Sequence, residues 1–375
     1  MYTVLEAIAT ANPPFKIRQQ DIANFMSQIE VLPKSLRRRI PQIYSLSGID
    51  YRYLCIKDYG EKPENFDFYP QNWSLSPFPS TQQRNQKYRD SVVNIAVNAA
   101  QQALWQADVT PQEITHLIVV SCTGFFAPGL DIHLVRHLNL NPTTDRTIIG
   151  FMGCYAALNG LKLAHTICQT YSNAKVLVVS AELCSLHFQF GTTLENIATN
   201  SLFADGVATA ILTSQTEAQA KGKLTYVDGG CLLDDSDSMD HLTWDIGDTG
   251  FLVGLSRKVP ETIADCLPNY LHNFLQRHSL SASELDFWAI HPGGKRIVEQ
   301  AQAVLGLSDE QARDSYEVLR LYGNMSSATI LFILKRILDR HHHNLRNNQP
   351  GDRTGIAMAF GPGLSIEGCL FKSQC

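Results

Sequence analysis

The stretch Arg146-Thr-Ile-Ile-Gly-Phe-Met-Gly-Cys-Tyr-Ala-Ala-Leu-Asn-Gly-Leu-Lys-Leu-Ala164 decides how the rest of the chain is read. Thr147 to Ile149 are β-branched and bounded by Gly150, whereas Ala156 to Ala164 is rich in helix formers, so Cys154 stands where a strand turns into a helix. Gly153 permits a tight turn there. The helix that follows aims its unpaired N–H groups at the sulfur, which is expected to favour thiolate over thiol. Cysteine is otherwise a small buried hydrophobe, and eight others serve as the comparison. Cys122, Cys168, Cys184, Cys231, Cys266 and Cys369 lie in apolar runs without a Gly-Cys elbow, Cys55 follows the aromatic run Tyr51 to Leu54, and Cys375 is the last residue. These eight are read as core, lining or tail.

Working outward, buried strands and helices alternate. Apolar runs at 114–120, 147–150, 175–180 and 206–213 predict strands, with helices expected at 86–107, 131–138, 155–170 and 192–201. Before them come a strand at 4–10, a helix at 19–30, and an irregular stretch at 58–86. That stretch has the aromatics Phe66, Phe68, Tyr69, Trp73 and Phe78 to anchor it. The small, polar run Ser214 to Gly222 is the best boundary, dividing 1–222 from 223–375. Beyond it, strands are expected at 224–227, 251–255, 287–290 and 355–360, an acidic turn at 234–240, and helices at 261–277, 296–305 and from Ser327 through Asp339. Both parts run buried strands into glycine turns and helices. The expected fold is therefore α/β, layered and duplicated, although no residue-level repeat is visible.

Composition narrows the partners. A chain of 375 residues with 44% hydrophobic content exceeds one ordinary core. Its 31 basic and 36 acidic residues, net −5, give no general attraction for nucleic acid or an anionic membrane. Nine cysteines without disulfide-framework spacing suit a reducing compartment. The start lacks a basic, apolar leader, and no apolar run reaches membrane-spanning length. A soluble, cytoplasmic protein is expected.

A cysteine nucleophile needs a base or a cationic partner that ends an element and projects into a cleft. His291 meets that demand: it caps an apolar strand, and Pro292-Gly293-Gly294 turns the backbone away. Asn324 lies between Gly323 and a run of small residues at a helix start, where its amide serves either as a helix cap or as a donor to a substrate oxygen. Thiolate, imidazole and amide together suit acyl transfer, the sulfur holding an acyl group while two donors stabilise an oxyanion or enolate. His133 and His137 lack the intervening Glu of a metalloprotease, and His341-His-His343 reads as a helix end facing carbonyls and solvent. No cysteines have zinc spacing, and Gly361-Pro-Gly363 is not a dinucleotide fingerprint. Neither a metal nor a nicotinamide is expected. Arg37-Arg-Arg39 is either a solvated helix face or a phosphate site.

Gly153-Cys154, His291-Pro-Gly-Gly294, Tyr322-Gly-Asn-Met-Ser-Ser327 and Phe360-Gly-Pro-Gly-Leu364, in this order over nearly the whole chain, resemble the type III polyketide synthases, the chalcone synthase-like family. The resemblance implies a thiolase-like duplicated fold, layered α-β-α-β-α, usually in a homodimer. It also implies CoA thioesters as substrates and no further cofactor. In that pattern Cys154 holds the acyl group, while His291 and Asn324 bind the malonyl-CoA carbonyl as carbon dioxide leaves. Phe203 matches a gatekeeper aromatic, and Ser326 and Phe360 fall in the pocket. Arg39 matches a basic position facing CoA phosphates, with Arg37 and Arg38 beside it and Arg52 following, whereas other such positions hold Gln42 and Leu46.

Departures from the plant pattern bear on the substrate. Trp244 replaces a glycine beside the starter pocket, Val253 a second gatekeeper phenylalanine, Cys122 a threonine and Ala127 a methionine. Trp244 disfavours a flat aromatic starter, and the smaller Val253 and Ala127 suggest a channel for a flexible chain. The expectation is a fatty acyl starter and an alkylresorcinol or alkylpyrone product. The alternatives are a single condensation of the ketoacyl synthase III kind and a non-catalytic thiolase-fold scaffold.

Overall fold

The computed structural model describes residues 1–233, 238–346 and 351–373. Residues before the boundary supply β1 (Tyr2–Ala11), β2 (His116–Ser121), β3 (Asp145–Gly150), β4 (Lys175–Leu183) and β5 (Asp205–Gln215). Those after it supply β6 (Thr225–Leu233), β7 (Phe287–Ile290), β8 (Arg353–Gly361) and β9 (Ser365–Ser373). Among the described residues these strands make one sheet, in the order β7-β8-β9-β6-β1-β5-β4-β2-β3. The two half-sheets meet edge to edge at two paired positions, Thr3 with Tyr226 and Val4 with Thr225.

The halves repeat each other. β2 and β4 are parallel, as are β7 and β8. β4 and β5 are antiparallel, as are β8 and β9, and β5–β1 matches β9–β6. The principal helices are α1 (Thr81–Gln106), α2 (Ala156–Thr170), α3 (Val259–Gln276), α4 (Lys295–Leu305), α5 (Asp309–Tyr322) and α6 (Ala328–Arg346). α2 leads into β4 as α6 leads into β8, which completes the duplication. α2 and α6 touch each other and strands of both half-sheets, forming the central layer, and α1 covers the outer face of β1, β4 and β5.

Side-chain alternation builds the remaining layer. Trp288, Ile290, Ile356, Met358, Phe360 and Leu370 face outward and pack with Val259, Ile263 and Leu267 of α3. The intervening Phe287, Ala289, Ala357, Ala359, Cys369 and Phe371 face the central core. Successive strand residues point to opposite faces, and both faces here are covered, so the strands are apolar throughout. The five-layered, duplicated α/β architecture is as expected from sequence.

Details differ from the sequence reading. α1 begins at Thr81 because Ser80 and Gln83 form a reciprocal capping box, with the Ser80 amide donating to Gln83 Oε1 at 2.8 Å. α5, β9 and the strand Leu242–Gly247 had not been anticipated; α5 is announced by the same kind of box at Ser308 and Gln311. The irregular stretch is anchored as expected by aromatics, Phe25 packing against Tyr59, Phe66, Tyr69 and Trp73. Buried Asp58 also accepts the amides of Asp67, Phe68 and Tyr69. The boundary run contains a one-turn helix, Glu217–Ala220. His341 is buried and bonds to the carbonyl of Gly222 rather than to solvent. Cys231 is exposed. Residues 234–237 of the acidic turn, and Cys375, lie outside the described residues. Among the described residues no helix is long and apolar enough to cross a membrane.

Candidate active site

Cys154 sits in a single 3₁₀ turn, Gly153–Tyr155, directly ahead of α2. Gly153 has φ +78°, and a Cβ there would stand 2.2 Å from Cδ of Pro362. Only glycine satisfies both the left-handed backbone and the close approach. The Gly361-Pro-Gly363 turn thus closes against the elbow from the C-terminal half. From the other half, the sulfur of Cys122 accepts the Gly153 amide at 3.0 Å.

Asn324 occupies the turn between α5 and α6. Gly323 before it has φ +76°, and a Cβ there would meet Ala204, Arg52 and the Leu202 carbonyl at about 3 Å. The Asn324 amide donates to Leu202 O at 2.9 Å and its carbonyl accepts from the Ala204 amide at 2.8 Å, a bridge centred on Phe203. Asn324 Oδ1 accepts from the Ser326 amide at 2.9 Å, and Nδ2 donates to Gly293 O at 3.1 Å. The Ser326 hydroxyl stands 3.7 Å from the Cys154 sulfur. His291 follows β7, and its amide donates to Met358 O at 2.8 Å. It is 1% exposed, and neither ring nitrogen has a partner among the described residues. A Cβ at Gly293 would lie 3.9 Å from that ring, so Gly293 joins the His291 turn to Asn324.

Burial sets the charges. It pushes the Cys154 thiol up to about 12, against the pull of Ser326 and with a further push from Glu182. The same cause lowers His291 to about 3. This burial works against the thiolate that the helix end is expected to favour, and against an imidazolium at His291, because each charged form is taken out of water.

Two residues of the site escaped the sequence reading. Glu182, fully buried on β4, accepts the Cys122 amide at 3.0 Å, the Thr123 hydroxyl at 2.8 Å and the Ser327 hydroxyl. Its carboxyl is raised to about 7 by burial. The signal was an acidic residue inside an otherwise apolar strand. His187 donates from Nε2 to Thr123 O at 2.7 Å and accepts the Phe251 amide through Nδ1 at 3.0 Å. It thereby ties the hairpin of Leu242–Gly247 and Gly250–Leu255 to the N-terminal half.

A cavity of about 30 Å³ opens beside the sulfur, and Cys122, Phe203, Trp244, Val253 and Ser326 line it. Trp244 and Val253 face each other across the hairpin, and the Trp244 indole donates to Cys122 O at 2.8 Å. Phe360 is not in it: its parity on β8 turns it into the outer core, and Pro362 takes the lining position. Ala127 is exposed and does not line it. Of the two small residues expected to open a channel, Val253 lines this cavity together with Trp244 and Phe203, and Ala127 does not.

A second cavity, about 470 Å³, adjoins the His291 turn at Gly293 and Gly294. Arg39 reaches it, whereas Arg37 and Arg38 do not. Arg257, Lys295 and Arg296, not singled out from sequence, complete its cationic rim. Arg296 pairs with Glu261 at 2.9 Å, Arg257 with Glu195 at 3.7 Å and Lys295 with Glu299 at 3.3 Å. Leu46, at an expected basic position, contributes apolar wall instead. Arg52 is fully buried and outside this cavity.

A cysteine elbow, a histidine turn and an asparagine turn, converging from the two halves of a duplicated five-layered scaffold, define an enzyme of the thiolase-like condensing class. The family models for chalcone and stilbene synthases match residues 2–216 with their N-terminal domain and 232–375 with their C-terminal domain. The chain is 32% identical over 373 residues to the alpha-pyrone synthesis polyketide synthase-like Pks18 of Mycobacterium tuberculosis, covering 98% of this chain and 90% of that one. A putative chalcone synthase of Bacillus subtilis is 34% identical over 303 residues, 78% of this chain and 81% of its own. The crystal structure of PKS-I from the brown alga Ectocarpus siliculosus superposes with a TM-score of 0.95 at 35% identity, covering 99% of this chain and 98% of the other. The chain belongs to the chalcone and stilbene synthase family: it is a type III polyketide synthase, an acyltransferase of the family with the Cys-His-Asn set.

Proposed function

We propose that this enzyme loads a fatty acyl group from CoA onto Cys154, extends it by repeated decarboxylative condensation with malonyl-CoA, and closes the product to an alkylpyrone or alkylresorcinol. The observation that carries this reading is one path. A cation-rimmed cavity of about 470 Å³ adjoins the His291–Gly294 turn, and behind that turn Asn324 and Ser326 meet the Cys154 sulfur at an apolar inner cavity. The rim is suited to CoA phosphates, with Arg39 and Lys295 as the principal contacts.

Cys154 attacks the starter thioester carbonyl as its proton passes to an unpartnered ring nitrogen of His291, and CoA thiolate leaves with a proton. Malonyl-CoA then enters. His291, neutral because burial lowers it to about 3, donates one N–H together with the Asn324 amide to the thioester carbonyl. Breaking the carboxylate's C–C bond releases carbon dioxide and leaves an enolate stabilised by these donors. The enolate carbon attacks the acyl-Cys154 carbonyl, expelling the sulfur, and the product lengthened by two carbons returns to Cys154. Phe203 stands at the entry to the inner cavity as the gatekeeper.

The inner cavity is apolar, and part of its wall is a hairpin whose strands pair only with each other among the described residues. That hairpin is the wall that gives way to an alkyl chain. The name of the mycobacterial relative supports pyrone closure. CoA thioesters are the substrates, and the reading calls for no further cofactor or metal. The halves 1–222 and 223–375 act as one unit in a cytoplasmic homodimer. Its interface is proposed at β3, an edge strand exposed along nearly its whole length, with Ile148 51% exposed.

Incubation with malonyl-CoA and a series of acyl-CoA starters, read by product mass, tests the reading. Products several two-carbon units heavier than the starter, best with long alkyl chains, are expected. A single β-ketoacyl addition, seen only with carrier-bound malonate, would replace it with the one-step condensation.

A further inference from the structure

Arg52 stands on the short strand Tyr51–Leu54 with none of its surface exposed. Its Nη1 donates to two carbonyls, Asn200 O at 2.8 Å and Phe203 O at 2.7 Å. The guanidinium lies near the rings of Tyr44 and Phe188, 5.6 and 5.4 Å from their centres, and Nε and Nη2 have no partner among the described residues. Burying a guanidinium is costly, so the reason for its position is sought in what its two bonds hold.

They hold the segment that fixes Asn324. Phe203 is gripped from one side by Arg52 at its carbonyl. From the other side the Asn324 peptide bonds to Leu202 O and to the Ala204 amide. The stem of Arg52 also backs Gly323, since a Cβ on that glycine would lie 3.0 Å from Arg52 Cγ. One side chain thus touches both strands of the bridge that carries the asparagine. The cysteine elbow is held by other means, the Cys122 sulfur and Pro362. Separate supports for the two reacting groups make their functions separable.

We propose that Arg52 is a positioning residue for the decarboxylating half of the reaction. Through Phe203 and Gly323 it sets the angle of the Asn324 amide, and it has no part in loading Cys154. This rests on the roles given above to Cys154 and Asn324.

The test uses the full chain as Arg52→Met, Arg52→Lys and Asn324→Ala, with thermal melting as a check of folding. Acyl loading is read as the intact-protein mass after an acyl-CoA starter, and decarboxylation as carbon dioxide released from malonyl-CoA. Arg52→Met is expected to lower decarboxylation about 10- to 100-fold, the scale of a misplaced reacting group, with loading within about threefold of wild type. Arg52→Lys, which keeps donors for the two carbonyls, recovers part of the loss, and it carries the test alone if the Met variant does not fold. Equal losses in loading and decarboxylation, or no loss in either, overturn the inference provided Asn324→Ala abolishes decarboxylation. If Asn324→Ala decarboxylates at the wild-type rate, the role of Asn324 itself falls, and the inference falls with it.

Discussion

The two halves of the molecule put different chemistry on the same two scaffold positions. In the N-terminal half Cys122 follows β2 and Cys154 precedes α2; in the C-terminal half His291 follows β7 and Asn324 lies just before α6. Because α2 and α6 touch in the central layer, the duplication itself brings these four positions toward one place. One half contributes sulfur and the other nitrogen donors. The difference teaches that the reaction centre is a property of the repeat. The cavities differ more: each half inserts a two-stranded antiparallel sheet after its first strand, Phe15–Arg18 with Tyr51–Leu54 in one and Leu242–Gly247 with Gly250–Leu255 in the other, and it is the second that brings Trp244 and Val253 to the inner cavity.

The comparison breaks most readily at the cysteines. Cys154→Ala is expected to lower polyketide formation at least about a thousandfold, whereas Cys122→Ala, at the position matching His291, costs less than about tenfold. Product mass spectrometry decides between them, and equal losses would mean that both sulfurs take part in the chemistry.

His291→Gln comes next, with condensation down about 100-fold or more. It also carries a pH signature. Burial, with a push from Glu182, holds the Cys154 thiol up at about 12, and the role proposed for His291 as the acceptor of its proton makes the imidazole the source of reactivity at neutral pH. Without it the thiolate fraction grows only as pH rises toward that value. Inactivation by iodoacetamide at neutral pH is therefore expected to slow at least about tenfold in the variant, the gap closing in alkaline buffer. Equal rates at neutral pH would show that the two halves do not cooperate at the sulfur.

The inner cavity gives a smaller effect. Val253→Phe, across the hairpin from Trp244, is expected to lower kcat/KM for long acyl starters about tenfold relative to short ones, and Trp244→Ala to shift the preference the other way. An unchanged starter profile would place the chain elsewhere. Smallest is the mouth. Lys295→Ala or Arg39→Ala is expected to raise KM for the CoA thioester about three- to tenfold with kcat held, and Arg37→Ala, outside the cavity, to change neither.

The legible part of the site was the part written in short local motifs. A glycine with φ +78° before Cys154, a Pro-Gly-Gly turn after His291 and a glycine with φ +76° before Asn324 are backbone requirements that sequence displays directly. The strands of the duplicated sheet were legible for a similar reason, since burial on both faces leaves continuous apolar runs. Less legible were elements whose pattern is polar or mixed. α5 is announced by a capping box more than by its apolar stripe, and the strand Leu242–Gly247 pairs only with its neighbour among the described residues. Phe360 was assigned to the pocket by its motif and turned out by strand parity, which places Pro362 there instead. The arginines separate only in three dimensions. Arg37, Arg38, Arg39 and Arg52 are close in sequence, yet they divide into two outside the cavity, one on its rim and one fully buried.

Sequence alone determined the family, through the resemblance carried by four short motifs, and the alternation of strands and helices, through the period of apolar burial. The tertiary structure alone decided how deeply Cys154 and His291 are buried, the size of the inner cavity and the membership of the cationic rim. Desolvation depends on everything packed around a sulfur or an imidazole, and a cavity wall on side chains far apart in the chain. Glu182, His187 and Arg52 show the same division: none belongs to a motif in its own segment, and each finds its partners in distant segments that fold against it.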